Sequence, residues 1–272
     1  ATEGLPDFGA ALDGDGDRNM ILGRNRFVTP SDSLAILAAN AQEAIPWFSG
    51  KKPAAVARSM PTSKALDRVA EALGIPCFEV PTGWKFFGNL MDKYSPFLCG
   101  EESFGTSADH VREKDGLWAV LAWLSALAAS PSKSVTKLVE DHWRRFGRDL
   151  YVRYDFEGVD AIKADAMIDR LRNSEDPSVT EFEYEDPVDG SVSSRQGIVI
   201  DLGDASRAVF RLSGTGSDGA TIRLYLEKFI PEPDDDDLHL DAATALKDLG
   251  ERALHIADLT AFTGREHPDV IT

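Results

Sequence analysis

Apolar residues recur along this chain in alternating short runs and helical stripes. Residues 26–29 read as a strand, and residues 33–43 place Leu34, Leu37 and Ala38 on one face of a helix opened by Pro30-Ser31-Asp32. The small apolar run 54–57 reads as a buried strand. It leads through Pro61-Thr62-Ser63 into a helix over 64–73, which Gly74 closes. The alternation repeats: a strand at 77–80, a turn at Pro81-Thr82-Gly83, a helix over 85–94 and a strand at 97–99. A loop then runs to Asp115, followed by an apolar helix over 116–129 and an amphipathic one over 134–146. This order predicts an α/β domain with a mixed, mainly parallel sheet covered by helices. Such sheets bind ligands at the carboxyl ends of their strands, where Thr82-Gly83 and residues 101–105 fall.

Beyond Gly147 the pattern changes. A strand at 150–156 and a helix over 160–173 precede strands at 181–184, 198–202, 208–212 and 221–229, with Gly203-Asp204 as a hairpin turn. The acidic run 234–237 reads as a solvated connector before a final helix over 240–259. This half predicts a smaller α+β domain with an antiparallel sheet.

Composition narrows the partners. Lys and Arg number 29 against 46 Asp and Glu, giving a net charge of −17. That balance argues against a reader of nucleic-acid backbones, so an anionic ligand must be held by locally placed cations. Two cysteines, Cys77 and Cys99, lie in runs that read as buried strands and are too few for a disulfide framework, which points to a reducing, cytoplasmic setting. The longest apolar run, 117–129, is too short to span a bilayer, so no membrane role is expected.

Four stretches carry candidate chemistry. Asp13-Gly14-Asp15-Gly16-Asp17-Arg18 alternates carboxylates with glycines, which lets the acids wrap a hard cation such as Mg²⁺. An EF-hand loop would need glycine where Arg18 stands and glutamate where Arg24 stands. Arg18, directly after the acids, is placed for a phosphate oxygen. The residues from Arg211 to Ser217 can form an anion nest with the hydroxyls of Ser213, Thr215 and Ser217, bracketed by Arg211 and Arg223; they fit a hairpin tip equally well. Glu101, Glu102 and Ser103 offer acceptors for sugar hydroxyls, or a cap in a solvated loop. His110, Arg112 and Lys114 form a basic patch that could instead pair with Glu113 and Asp115.

Longer motifs add a resemblance. The loop 13–18 with Asn19-Met20-Ile21-Leu22-Gly23, the segments 57–63, 81–89, 99–105 and 112–121, and Arg211 to Arg223 resemble, in order, the α-D-phosphohexomutase superfamily and within it the eukaryotic-type phosphoglucomutases. The resemblance implies the carboxyl-terminal half of a four-domain enzyme: residues 1–27 the end of domain 2, 28–147 domain 3 and 148–272 domain 4. It implies interconversion of glucose 1-phosphate and glucose 6-phosphate through a glucose 1,6-bisphosphate intermediate.

The same resemblance assigns roles. Asp13, Asp15 and Asp17 would hold Mg²⁺ with Arg18 beside the transferred phosphate. Glu101 and Ser103 would read sugar hydroxyls opposite Thr82 and Gly83. Arg211, Ser213, Gly214, Thr215 and Arg223 would hold the other phosphate, and Lys114, with His110 as the weaker candidate, would contact substrate or move protons. The hinge is expected at 146–154, with Arg153 contributing there, and domain 4 would close over the sugar. The family's phosphoserine loop of Thr-Ala-Ser-His-Asn-Pro type is not found here, so the missing amino-terminal domains are the expected partners, with hexose phosphates as ligands. A non-catalytic sugar-phosphate-binding or scaffold protein of the same ancestry is the alternative. Ser107, where the family often has glycine, and Asp218, an acid in the phosphate loop, are departures.

Overall fold

The computed structural model describes residue 4, residues 6–216 and residues 219–272. These form two compact units, one of residues 1–148 with 186–191 and 231–234, the other of the remainder.

The first unit opens with a three-stranded antiparallel sheet, β1 (Phe8–Leu12), β2 (Asn19–Gly23) and β3 (Arg26–Val28). The acidic loop joins β1 to β2, whose register pairs Leu12 with Asn19. Helix α1 (Pro30–Ala44) begins three residues before the expected start. Pro30 takes the first turn, where a missing N–H costs nothing, and Thr29 caps it by accepting from the Asp32 amide at 3.1 Å.

Next come β4 (Ala55–Ser59), α2 (Ala65–Leu73), β5 (Cys77–Val80), α3 (Lys85–Tyr94), β6 (Pro96–Gly100), β7 (Thr106–Ala108), α4 (Gly116–Ala129) and α5 (Val135–Phe146). The sheet order is β5-β4-β6-β7, with β4 parallel to both β5 and β6 and β7 antiparallel to β6. The expected loop up to Asp115 therefore contains a strand. Thr106, Ser107 and Ala108 are buried but lack the alternation of a half-exposed strand, so periodicity could not mark them. Cys99 is buried and Cys77 half-buried, and both are free thiols.

In the second unit β8 (Arg148–Val159) and α6 (Ala161–Arg172) precede β9 (Val179–Glu181), β10 (Tyr184–Glu185), β11 (Val192–Ser193), β12 (Ile198–Gly203), β13 (Ser206–Gly216) and β14 (Gly219–Ile230). The single helix expected over 240–259 is instead α7 (Ala242–Ala245), α8 (Lys247–Ala257) and α9 (Leu259–Thr263), broken where Asp258 takes a left-handed φ of 54°. The last strand is β15 (Val270–Ile271). Six strands lie in the order β15-β8-β14-β13-β12-β9, and their inner face buries Phe156, Phe210, Ile222 and Leu224 with Met167 of α6 and Ala253 of α8. The acidic run is not followed directly by helix: a 3₁₀ turn, Asp237–His239, buries Leu238 first.

Candidate active site

In the first unit the structure gathers four of the sequence segments. Asp13, Asp15 and Asp17 each offer an oxygen, and these lie within 4.8 Å of one another. The loop holds its shape through a Gly16 amide bond to the Asp13 carbonyl at 3.2 Å and a left-handed Gly16, φ 76°. The Arg18 amide donates to Asp13 Oδ1 at 3.1 Å and its Nε lies 2.8 Å from Asp13 Oδ2. That amide bond, with the Arg18 charge, holds the Asp13 carboxyl below its ordinary pKa.

Two neighbouring segments close on this loop. Asn19 donates from both its amide and its side chain to the Phe104 carbonyl at 3.0 Å, and Arg18 bridges to Gly105. The Gly116 amide, at the start of α4, donates to the Gly16 carbonyl at 2.9 Å. Lys114 then joins the acidic loop to the Glu101 loop: its Nζ lies 3.0 Å from Asp17 Oδ2 and 3.8 Å from Glu101 Oε2. Glu101 is 4% exposed, and its Oε1 accepts from the Gly83 amide at 3.1 Å. Gly105 makes this convergence sterically possible, since a Cβ there would stand 2.5 Å from Lys114 Cδ and 2.9 Å from Glu101 Oε2.

The adjacent glutamates divide their work. Glu102 Oε2 accepts from Ser59 Oγ at 2.6 Å within the buried interior, so Glu102 anchors the loop while Glu101 faces Gly83 and Lys114. Ser103 sits half-buried in the same turn. Thr82 Oγ1 is buried with no hydrogen-bond partner among the described residues, as is Asp17 Oδ1. Such orphans cost free energy unless a ligand satisfies them.

His110 is held elsewhere in the unit. Nδ1 lies 3.1 Å from Asp109 Oδ1, Nε2 accepts from Trp118 Nε1 at 3.1 Å, and the ring packs 4.3 Å from Trp47. Both nitrogens are thus engaged in an aromatic cluster, unlike Lys114, which lies among the acids. Arg112 pairs with Asp92 at 2.7 Å, and Asp115 caps α4 by accepting from the Trp118 amide, so neither follows the alternative pairing within 112–115.

The second unit presents the arginine-bounded loop. Most of it lies inside the β13–β14 ladder: Arg211 stands opposite Arg223, Ser213 opposite Thr221 and Gly216 opposite Gly219. The register shifts between Ser213 and Gly216, and Gly214 takes φ 64° with open space beside it. Thr215 lies in this strand; Ser217 and Asp218 fall outside the described residues. Arg211 Nε donates to the Gln196 carbonyl at 3.3 Å, and Arg223 Nε lies 3.7 Å from Asp155 Oδ1.

Two sequence profiles match almost end to end. The phosphoglucomutase/phosphomannomutase alpha/beta/alpha domain III matches residues 30–146, and the phosphoglucomutase-1 C-terminal domain matches 148–269. The chain belongs to the phosphoglucomutase family.

It is 56% identical over 288 aligned positions to the chloroplastic phosphoglucomutase of Arabidopsis thaliana, an alignment covering 98% of this chain and 46% of that protein. Identity to the cytoplasmic phosphoglucomutase of Mesembryanthemum crystallinum is 54%, covering 98% and 50%. The crystal structure of the exocytosis-sensitive phosphoprotein pp63/parafusin, a phosphoglucomutase from Paramecium in its open form, superposes with a TM-score of 0.89 at 50% identity. That match covers 100% of this chain and 48% of the Paramecium one. The chain thus spans about half the length of the phosphoglucomutases it matches. Its ancestry is that of a hexose-phosphate mutase, and no described helix is long and apolar enough to cross a membrane.

Proposed function

We propose that this chain supplies the metal, sugar and phosphate contacts of a phosphoglucomutase that interconverts glucose 1-phosphate and glucose 6-phosphate through glucose 1,6-bisphosphate. The observation that carries the reading is Lys114, whose one ammonium reaches both the acidic loop at Asp17 and the sugar-loop carboxylate of Glu101. Because Lys114 ties the acidic loop to the Glu101 loop, a ligand that meets one set of charges lies within reach of the other.

The acidic loop fits Mg²⁺. An octahedral shell at about 2.1 Å spreads its ligand oxygens no more than roughly 4.2 Å apart, so oxygens within 4.8 Å of one another need only a small contraction to share the ion. Asp13, Asp15 and Asp17 would hold the ion, which supplies charge neutralisation to a phosphoryl oxygen when bound. Arg18 orients an equatorial phosphate oxygen. Glu101 accepts from a sugar hydroxyl, with Ser103, Thr82 and the Gly83 backbone bounding the ring. Lys114 binds a charged oxygen or delivers a proton at Nζ.

The second unit contributes anion recognition: Arg211 and Arg223 offer planar forks, with the hydroxyls of Ser213 and Thr215 and the backbone at Gly214. The domain reading proposed is 1–27, 28–147 and 148–272 as parts of domains 2, 3 and 4, with the phosphoryl donor serine on the amino-terminal domains. The compartment proposed is cytoplasmic, supported by cytoplasmic relatives and two free thiols; the chloroplastic relatives make a plastid the competing location.

The test is calorimetric and enzymatic. Mg²⁺ titrated into the chain should bind, and Asp15→Asn should abolish that binding without loss of fold. The complete gene product should convert glucose 1-phosphate in an assay coupled to glucose 6-phosphate oxidation, and Glu101→Gln should lose that turnover while staying folded. Mg²⁺ affinity indifferent to Asp15, together with turnover indifferent to Glu101, would refute the assignment.

A further inference from the structure

Arg223 is held by a carboxylate that the phosphate-loop motif does not contain. Asp155, on β8, is 4% exposed, and its Oδ1 lies 3.0 Å from Arg153 Nε and 3.7 Å from Arg223 Nε. Arg153 and Asp155 are two residues apart on a strand and so point to one face. Arg223 lies on β14, which neighbours β8 in the sheet, directly across the ladder from Arg211. One buried carboxylate thus faces two guanidinium groups, and one positive charge is left over.

The hydrogen-bonding of this trio is incomplete. Asp155 Oδ1, Arg153 Nε and Arg223 Nε are all buried without a well-directed hydrogen bond among the described residues. Attraction between charges therefore holds the arginines, while their Nε–H groups carry no well-directed hydrogen bond among the described residues.

The backbone beneath the carboxylate is fixed from the other side. The Asp269 amide donates to the Asp155 carbonyl at 2.8 Å, and Arg153 exchanges both main-chain hydrogen bonds with Thr272, at 2.7 and 3.0 Å. Strand β15 pairs Val270 with Asp155 and Ile271 with Tyr154. The closing strand thus pins the stretch of β8 that carries the trio.

We infer that Asp155 is a positioning residue for the phosphate clamp: with its backbone locked by β15, it fixes the guanidinium of Arg223 for an incoming phosphate oxygen. This rests on the reading of Arg211 and Arg223 as phosphate ligands and adds the element that orients one of them.

The sign of one substitution separates orientation from mere neutralisation. Asp155→Asn removes a negative charge close to the bound anion, so Coulomb's law alone tightens binding. Loss of orientation weakens it, and the inference expects glucose 6-phosphate affinity, titrated calorimetrically into the chain at fixed ionic strength, to fall about tenfold. In the Arg223→Ala background the same substitution should weaken it no further, an effect that a purely structural role for Asp155 would not give. Unchanged or tighter binding by Asp155→Asn, where Arg223→Ala does weaken it, overturns the inference and leaves the clamp standing. Binding indifferent to Arg223→Ala overturns the clamp itself.

Should Asp155→Asn fail to fold, the wild-type chain decides by NMR of its arginine side chains. The Arg223 Nε–H resonance should exchange slowly with water and shift when glucose 6-phosphate is added. A fast-exchanging, unresponsive resonance overturns the inference.

Discussion

Gly116→Ala tests whether the start of α4 and the acidic loop are built as one piece. A Cβ on Gly116 would meet the Arg18 carbonyl oxygen at 2.5 Å, Leu12 Cδ2 at 2.7 Å and the Gly16 carbonyl oxygen at 2.8 Å. Its φ is not left-handed, so glycine supplies room here rather than conformational freedom. Two of the three obstacles are main chain and cannot swing aside like the tip of a long side chain. Alanine gains at most about 1 kcal/mol of helix propensity, less in a first turn. Against that, overpacking costs roughly 1–3 kcal/mol, and displacing the 2.9 Å Gly116–Gly16 hydrogen bond costs about 1 kcal/mol more. The net loss is about 1–4 kcal/mol, or a melting temperature lower by roughly 2–16 °C. Gly88→Ala is the internal control: it lies inside α3 with no atom within 4 Å of its added Cβ, and should stabilise by about 0.5–1 kcal/mol. Circular dichroism melts of both variants, with Mg²⁺ titrations alongside, give the answer. If both substitutions move stability the same way, or if Gly116→Ala leaves Mg²⁺ affinity untouched, the close approach of α4 to the loop is not what glycine serves.

Three further outcomes follow from buried groups. Burial first, and then the charge of Arg145, lowers the pKa of His142 from 6.5 to about 3. The unfolded chain therefore takes up the proton first, so this contribution to stability is complete above pH 6.5 and declines towards pH 3 by about 1.4 kcal/mol per unit. Urea titrations between pH 5 and 7 should show that slope, and His142→Leu should flatten it; an identical slope refutes the assignment. Arg58 is 1% exposed and binds Asp67, Glu79 at 2.7 Å and the Ser59 carbonyl at 3.3 Å. Because both carboxylates are about a third exposed and can rehydrate, Arg58→Met should cost about 2–4 kcal/mol in a urea titration, and a loss under 1 kcal/mol contradicts the network. Burial, reinforced by the Asp67 charge, pushes the Cys77 thiol up to about 12, so iodoacetamide at pH 8 should label it far more slowly than in the urea-unfolded chain. Equal rates would mean that the thiol is not held in a low-dielectric setting.

Elements with a strong rhythm were legible, and those set by distant pairing were not. The strands β4, β5 and β6 follow from apolar runs bounded by turns, and α2 ends at Gly74 in a left-handed φ of 65°, as its glycine implied. Strand β15 is two residues long and exists because β8 offers an edge, so its own sequence carries no signal. The break at Asp258 has no glycine or proline to announce it; the apolar positions on either side keep helical spacing while the backbone turns. The sequence around α1 equally hides the reason for a buried Asp32, whose carboxylate accepts from Trp143 Nε1 at 3.1 Å, 111 positions away.

The candidate site divides along the same line. Residue types announced themselves: alternating aspartates, a doublet of glutamates and paired arginines are costly in any interior and so stand out. Their partners did not, because a pairing depends on which loops the sheet edges bring together. Lys114 reaches Asp17 only because β7 and α4 return the chain to the acidic loop, and β7 was the strand that periodicity missed. His110, four residues earlier, carried as much chemical promise but lies against Trp47 and Trp118, where its nitrogens are spent on packing geometry. The same logic separates Glu101 from Glu102: turn geometry gives one carboxylate to Gly83 and Lys114 and the other to Ser59. Asp155 had no motif at all, yet its carboxylate lies against the arginine opposite Arg211. A cation beside a glycine-rich loop can be found by reading along the chain; the carboxylate that faces it is found only by reading across the sheet.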